Sequence, residues 1–339
     1  MTVKVSKPAI NVREELADLR KPTGIAGEAM LRAETPQEQF NLIGAGRRNF
    51  IINGNFAVTQ RGDYSSSTSV ASGAYSIDRW KSNDPFNLQR FTGQVIDGIR
   101  TNYVKVSYNG TASMGFMQLI EDKDYEVLRG QTITISAYVR TNQALFGFRL
   151  YDGSQKYGPR FVADGNWHRA TWTFTWSPSS PSYFQILFDT YQGSFPTIGS
   201  GDYMDIAMVQ VELGKVATPF EHRSYGEELA LAQRFYTRLG NDDGGFTHLM
   251  VGSAEGTTVY VVSRSLSTRM RAVPTVTVGS GVNGFTASAG VVYLNSFNTR
   301  CSRDIACISA NVTGTATVGQ AAVLYDAGAN GYIELDAEL

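Results

Sequence analysis

The chain has little of what metal, redox and hydrolytic sites are made from. Its 339 residues include two cysteines and three histidines. The histidines, His168, His222 and His248, are scattered, and no His-Glu-x-x-His or Cys-x-x-Cys spacing occurs, so no zinc site is expected. A Gly-x-Ser-x-Gly nucleophile motif and a phosphate-binding loop are also missing. We therefore predict that the protein is not an enzyme and uses no metal or cofactor.

The chain also has no large excess of positive or negative charge and no long apolar run. Thirty Lys and Arg residues balance 31 Asp and Glu residues, so nothing in the charge calls for a nucleic-acid partner. No apolar stretch approaches the roughly 20 residues that span a bilayer. The first residues lack the apolar core of a signal peptide. Cys301 and Cys307 are typical of small buried thiols from a reducing cytosol, with a hairpin disulfide as the alternative. We expect cytosolic synthesis without the secretory route.

What is abundant is glycine, with 34 residues, and aromatic side chains, at 12% of the chain. Glycine supplies turns and aromatic residues favour half-buried strands, so the composition predicts a mainly β protein. The length suggests two or three domains. From residue 49 to residue 223, apolar residues alternate with polar ones, as in Thr171-Trp172-Thr173-Phe174-Thr175-Trp176. Roughly ten such short strands predict a jelly-roll β-sandwich over residues 48–223.

Residues 1–47 have a different pattern. They contain two short amphipathic helix signals that cannot be stable alone in water. We predict an anchoring segment that docks on sister chains or on another protein, and a floppy leader is the alternative. Its apolar contact residues would be Val12, Leu16, Leu19, Phe40 and Ile43.

A linking helix is predicted over residues 224–240. Ser224 and Glu227 form a capping box, and Gly240 would end the helix. Its apolar stripe would pack on the sandwich or on copies of itself around a trimer axis. The stripe consists of Leu229, Ala232, Phe235, Tyr236 and Leu239. Residues 241–339 then predict a small C-terminal β-domain, whose few large side chains suggest that partners complete its core.

A binding face follows from the alternation of two strands, at residues 133–139 and 146–150. If their apolar residues point inward, tyrosine and arginine side chains point outward. Such residues can stack on a sugar and bind its hydroxyl groups. An ordinary polar face and a trimer contact are the alternatives. The predicted glycan-binding residues are Tyr138, Arg140, Arg149 and Tyr151.

Two other candidate sites are better explained by structure. Trp80 and Trp167 could be sugar platforms, but their positions favour core or rim packing. Glu121, Asp122 and Asp124 form an acidic cluster in a predicted turn, where a solvated loop is expected rather than the paired carboxylates of a glycosidase.

Several motifs, taken in order, resemble a known family. Residues 49–56 (Asn-Phe-Ile-Ile-Asn-Gly-Asn-Phe), 60–62 (Gln-Arg-Gly) and 77–80 (Ile-Asp-Arg-Trp) resemble the opening of phage tail-fibre and minor tail proteins. Residues 210–221 resemble the exit of the same sandwich. The leader 25–32 resembles fibre anchors, and residues 332–339 resemble a common C-terminal ending. The sandwich of that family is similar to jelly-roll carbohydrate-binding modules.

The resemblance implies a homotrimeric fibre in the virion tail, assembled in the host cytoplasm. Residues 1–47 would bind other phage tail proteins, and the outer domains would bind bacterial surface polysaccharide. Many sugar-binding modules hold a structural calcium with a glutamate after the opening motif. Ala57 stands at that position here, and Asp205 would be left without a partner, which makes a poor calcium site.

Two other functions stay open. The chain could be a purely structural tail or head fibre or adaptor that binds no receptor. A polysaccharide depolymerase is less favoured, because neither a pair of catalytic carboxylates nor the repeats of a β-helix are found.

Overall fold

The computed structural model describes residues 48–110, 113–121, 126–177, 184–190, 198–240, 247–279, 281–286, 290–326 and 331–339. The predicted anchor, with Val12, Leu16, Leu19, Phe40 and Ile43, lies outside these residues. Over the described ranges the chain is mainly β, as predicted, and no helix there is long and apolar enough to cross a membrane.

The described chain forms twenty strands, with a helix after the eleventh strand. The strands are β1 (Thr68–Val70), β2 (Trp80–Asp84), β3 (Phe86–Ile96), β4 (Ile99–Ser107), β5 (Gly115–Ile120), β6 (Thr132–Thr141), β7 (Gly147–Tyr151), β8 (Gln155–Arg160), β9 (His168–Thr175), β10 (Phe184–Asp189), β11 (Tyr203–Leu213), β12 (Tyr236–Gly240), β13 (Thr247–Ala254), β14 (Val259–Ser265), β15 (Thr275–Val278), β16 (Val282–Thr286), β17 (Gly290–Thr299), β18 (Ile305–Val312), β19 (Ala321–Asp326) and β20 (Tyr332–Asp336). The helix α1 spans Tyr225–Gln233.

The first eleven strands build the predicted sandwich. A six-stranded sheet has the order β1-β3-β4-β11-β6-β9, and a five-stranded sheet has the order β2-β5-β10-β7-β8. Apolar residues from both sheets fill the space between them. Trp80 is fully buried there and stacks on Phe116 at 4.8 Å between ring centroids. The core assignment of Trp80 is therefore confirmed.

The predicted alternation holds on both sides of the core. Ile133 and Ile135 of β6 and Phe148 and Leu150 of β7 are all fully buried. On β9 the inward residues are only half-buried, because β9 is an edge strand of its sheet. The sequence pattern thus identified the inward face of each strand correctly.

The Asn-Gly-Asn-Phe motif holds the start of the sandwich in place. The buried Asn53 side chain donates to the backbone carbonyl groups of Val58 and Asp78, and the Asn53 backbone carbonyl accepts from the Trp80 indole N–H at 3.0 Å. Its backbone N–H also donates to Glu228 of helix α1. The motif is therefore structural, and it links the core tryptophan to the helix.

Gly54→Ala is expected to lower the free energy of unfolding by about 1–3 kcal/mol, as other overpacked core positions do. A Cβ at Gly54 would lie 2.2 Å from the Val209 carbonyl oxygen, and backbone cannot yield as a side chain can. Urea unfolding measures the change. Gly226→Ala is the control, because a Cβ there meets open space and alanine favours the helix. Equal destabilisation by both variants would contradict the close contact.

The linking helix is shorter than predicted. The capping box of Ser224 and Glu227 is present, but α1 ends at Gln233 rather than at Gly240. The rest of the predicted segment is strand β12, which pairs with β20 in a three-stranded sheet of order β12-β20-β15. Two factors override the helical spacing of the apolar residues. Backbone pairing to β20 is a long-range contact that the local pattern cannot show, and Phe235-Tyr236-Thr237 is a run of residues that favour strands.

The predicted apolar stripe is therefore split between two elements. Ala232 and Phe235 are buried with Ile52 and Val58 of the sandwich, and Leu229 packs against them. Tyr236 and Leu239 lie on β12 instead, and both are buried. Within the chain the stripe packs on its own sandwich and C-terminal domain, and its role in a trimer stays a prediction.

The C-terminal domain has a core of its own. Six strands close into a barrel in the order β13-β14-β18-β17-β16-β19. Tyr260 is fully buried in this domain, and small residues such as Ala306 and Ala310 lie in the same core. The interior of a narrow barrel has room for few large side chains. The small number of large apolar residues in this part of the sequence can therefore be explained without a partner that completes the core. Cys301 and Cys307 are both free and half-buried, with the Cys301 Sγ 3.2 Å from the Cys307 backbone nitrogen.

A buried ionic cluster joins the sandwich to the C-terminal domain. Glu338 pairs with Arg79 and with Arg61, and Asp336 pairs with Arg61 at 3.1 Å. The Arg79 and Glu338 side chains are 1% and 3% exposed. Arg79 also lies over the Phe235 ring, with 3.5 Å from its Cζ to the centroid. The Gln-Arg-Gly and Ile-Asp-Arg-Trp motifs therefore meet the Glu-Leu-Asp-Ala-Glu ending at this joint.

Stability is expected to fall by about 2 kcal/mol as the pH rises from 4 to 7, through Asp78 beside this joint. Burial raises the pKa of the Asp78 carboxyl to about 6, although hydrogen bonds from Gln60 favour its ionised form. Because the pKa of Asp78 is raised in the folded state, its neutral carboxyl contributes fully to stability below pH 3.8. That contribution is lost as the pH rises through about 6. Urea midpoints of wild type and Asp78→Asn across this range isolate the effect. A constant difference between the two would contradict it.

Candidate functional site

The four predicted glycan-binding residues do not form one face. Tyr138 and Arg140 lie on β6 of the six-stranded sheet, whereas Arg149 and Tyr151 lie on β7 of the five-stranded sheet. Both pairs point outward, but from opposite sides of the sandwich. The prediction of a shared face is wrong, because alternation shows which side of a strand faces inward but not which sheet the strand joins.

The pair on β7 is engaged by the chain itself. Arg149 is 7% exposed, pairs with Asp189 and donates to Gln155 at 3.1 Å. Tyr151 is half-buried against Met117, Leu119 and Leu187, a cluster that also holds Leu339. This side of the sandwich therefore offers little of these two residues to a ligand.

The pair on β6 belongs to an aromatic cluster on the outside of the six-stranded sheet. Strand register places Phe91 opposite Tyr103, Tyr103 opposite Ala207, and Ala207 opposite Tyr138. Because Ala207 is small, the rings on either side of it stand above the sheet. We call this surface the aromatic face; it comprises Phe91, Tyr103, Tyr138, Arg140 and Trp167, with Asp205 within it.

The rings of the aromatic face contact one another. Phe91 and Tyr103 stack at 4.6 Å with an interplanar angle of 8°. Tyr103 meets Trp167 edge to face at 5.3 Å. The Arg140 guanidinium lies 4.9 Å from the Trp167 ring and 5.5 Å from the Tyr103 ring. Cation–π contact of this kind fixes the orientation of both arginine and tryptophan.

Asp205 is the acidic partner of Arg140. It is fully buried, and its Oδ2 accepts from the Arg140 Nε at 2.7 Å and lies 2.5 Å from NH2. Burial raises the pKa of the Asp205 carboxyl, although Arg140 beside it favours the ionised form. Asp205 is thus engaged in an ion pair. In the described part of the chain no group of three acidic, histidine or cysteine side chains is placed to hold a metal ion.

The β3–β4 turn forms one rim of the face. The Tyr138 hydroxyl donates to Asp97 Oδ2 at 2.5 Å, which ties β6 to that turn. Burial raises the pKa of the Tyr138 hydroxyl above its ordinary value, and Asp97 adds to the shift. Arg169, exposed beside Tyr138 in the register of β6 and β9, donates to the Thr218 carbonyl. Aromatic, cationic and acidic groups are thus brought together by five strands, β3, β4, β6, β9 and β11.

Sequence reasoning missed part of this face. Trp167 is half-buried and lies outside the core, so rim packing describes it only partly. The sequence did contain a signal for this position. Trp167 lies five residues, an odd number, before the inward-facing Trp172, so alternation along the strand predicts that it faces outward. Glu121 was expected in a solvated loop, but it is 5% exposed and pairs with Arg234 at 2.8 Å. Asp122 and Asp124 lie outside the described residues.

In comparisons with known proteins, this chain shows similarity to solved structures only. No family model matches the chain, and no curated protein matches it. A tandem pair of family-22 carbohydrate-binding modules from Paenibacillus barcinonensis is 12% identical, with a TM-score of 0.30, 82% of this chain covered and 99% of that chain.

Two further structures cover about half of this chain. A Clostridium thermocellum xylanase fragment with a family-22 module is 12% identical, with a TM-score of 0.32, 50% of this chain covered and 29% of that chain. The enzymatically active domain of bacteriophage CBA120 tailspike protein 4 is 14% identical, with a TM-score of 0.30, 49% of this chain covered and 21% of that chain. This chain thus spans less than a third of either of these two structures.

Proposed function

We propose that the β-sandwich binds glycans on a bacterial surface through the aromatic face, and that the chain is a phage tail-fibre protein that presents it. The observation that carries the proposal is the grouping of Tyr103, Trp167 and the Arg140–Asp205 pair on the outside of one sheet. A sugar ring offers apolar C–H faces and polar hydroxyl edges, and this face offers partners for both.

The tail-fibre part of the proposal is supported by the motif resemblance. Motifs at 49–56, 60–62, 77–80 and 332–339 occur in the order found in that family, and three of them meet at the joint between the domains. In this proposal residues 1–47 attach a homotrimer to other proteins of the virion tail, and the sandwich points outward.

The proposed activity is binding without catalysis. Among the described residues, the carboxylates of Asp205 and Asp97 lie at the aromatic face, and each is bound through its Oδ2 to a neighbour. Asp205 pairs with Arg140, and Asp97 accepts from Tyr138. A glycosidase needs one carboxylic acid and one carboxylate held across a bound sugar, free to act on it. These contacts favour recognition over hydrolysis.

A glycan array that carries bacterial surface polysaccharides tests the proposal. The full chain is expected to bind a defined subset of glycans and to release no reducing sugar from them. If it binds none while it remains folded, the chain is a structural fibre or adaptor, and the binding proposal fails. Release of reducing ends from a bound glycan would favour a depolymerase.

A further inference from the structure

An unpaired oxygen atom is buried within the aromatic face. Both nitrogen contacts of Arg140 go to the same oxygen of Asp205, Oδ2. The other oxygen, Oδ1, is buried and has no hydrogen-bond partner among the residues that the structure describes. A buried acceptor without a donor costs about 1–3 kcal/mol, so such atoms mark places that another group completes.

The groups around Asp205 restrict what that group can be. Arg140 approaches from β6 and is bound to Oδ2. Lys105 is the neighbour on β4, and its Nζ lies 4.2 Å from the Tyr203 ring centroid. The charge of Lys105 favours the ionised form of Asp205, but among the described residues neither Lys105 nor Arg140 donates a hydrogen bond to Oδ1. An ionised carboxylate oxygen only accepts hydrogen bonds, so a hydroxyl group fits it.

A second carboxylate would not fit. Two like charges held close together in a water-poor site repel, and one of them must take up a proton. A uronic acid carries its carboxylate where a neutral hexose carries a hydroxyl group. The same site therefore distinguishes these two sugars by charge as well as by hydrogen bonding.

We propose that Asp205 Oδ1 accepts a hydrogen bond from a sugar hydroxyl, so that the aromatic face selects neutral glycans over uronate-containing ones. The inference rests on the proposed function. Because Asp205 is fully buried, a hydroxyl reaches Oδ1 only when neighbouring side chains of the aromatic face move aside. Trp167 is half-buried and lies 4.9 Å from the Arg140 guanidinium, so its fluorescence is expected to change on binding.

Matched oligosaccharide pairs on an array test this selection, each pair sharing one linkage and differing only in a neutral or uronate residue. The wild-type chain is expected to bind the neutral member at least about tenfold more tightly. Asp205→Asn is expected to bring the two affinities within about threefold. A merely structural role for Asp205 would weaken both members equally and leave their ratio unchanged, which would overturn the inference.

The matched control is Asp304→Asn, which removes an exposed carboxylate of the C-terminal domain, outside the aromatic face. Its exposed position predicts an unchanged ratio, and an equal shift in both variants would overturn the direct contact with Asp205. If Asp205→Asn fails to fold, wild-type chain is tested with O-methylated neutral oligosaccharides, which cannot donate. Undiminished binding of these overturns the inference while the proposed function stands. Binding to no glycan at all overturns the proposed function itself.

Discussion

Replacing Trp167 by alanine is expected to weaken glycan binding by about 2 kcal/mol, which is roughly thirtyfold in Kd. The indole is the ring of the aromatic face that contacts both Tyr103 and the Arg140 guanidinium. Its loss removes a stacking surface and also frees Arg140 from one of its two aromatic neighbours. Isothermal titration with a glycan found on the array measures the change.

The matched control is Tyr157→Ala on β8. Tyr157 is 40% exposed and lies on the five-stranded sheet, on the other side of the sandwich. Its removal is expected to leave Kd within twofold of wild type. Both variants should unfold near the wild-type temperature, because neither side chain lies in the core. A loss of affinity in Tyr157→Ala, with Trp167→Ala unaffected, would contradict the proposal, because it would place the binding surface on the five-stranded sheet.

Glu338→Ala is expected to lower the free energy of unfolding by about 3–5 kcal/mol. The Glu338 carboxylate is 3% exposed and is the acidic partner of the buried Arg79 guanidinium. Without it, Arg79 keeps its hydrogen bond to the Leu119 carbonyl and its contact with Phe235, but its charge is left uncompensated. Taking an unpaired guanidinium out of water is far costlier than losing the pair as a whole.

Asp336→Ala provides the comparison. Asp336 pairs with Arg61 at 3.1 Å, but its side chain is 40% exposed, so water can replace the lost contact. The expected cost is about 1 kcal/mol or less. Urea unfolding of the two variants measures both values. Similar costs for Glu338→Ala and Asp336→Ala would contradict a joint held by its buried charges.

The sequence predicted the architecture of the sandwich well, because alternation is a local signal. A strand with one buried face shows it in every second residue, as 133–139 and 146–150 do. The capping box at Ser224 was equally local and was found. The end of that helix was missed because the competing partner of Tyr236–Gly240 is β20, nearly a hundred residues later. No window around residue 236 contains that information.

The candidate site was predicted in part for the same reason. Tyr138 and Arg140 were identified correctly as outward residues, since parity alone decides that. Their assembly with Tyr103 and Trp167 depends on β6 lying between β9 and β11, with β4 beyond β11, and on β7 crossing to the other sheet. Sheet order is set by long-range pairing. The sequence therefore grouped Arg149 and Tyr151 with Tyr138 and Arg140, although the two pairs lie on opposite sides of the sandwich.

The buried ion pairs were the least visible in the sequence. Arg61, Arg79, Asp78 and Glu338 resemble surface residues by composition. The structure shows that family-like motifs containing them are joined at the contact between two domains. Charged residues in such motifs can be retained for the joint rather than for ligand binding, which is why motif resemblance alone did not locate the site.

Hydroxyl-radical footprinting of the chain with and without a bound glycan shows directly which sheet carries the binding surface. Aromatic side chains report their own exposure in this measurement. Bound glycan is expected to protect Phe91, Tyr138 and Trp167 on the aromatic face and to leave Tyr157 on the opposite sheet unchanged. Protection of Tyr157, with Trp167 oxidised as in the free chain, would contradict the assignment of glycan binding to the aromatic face.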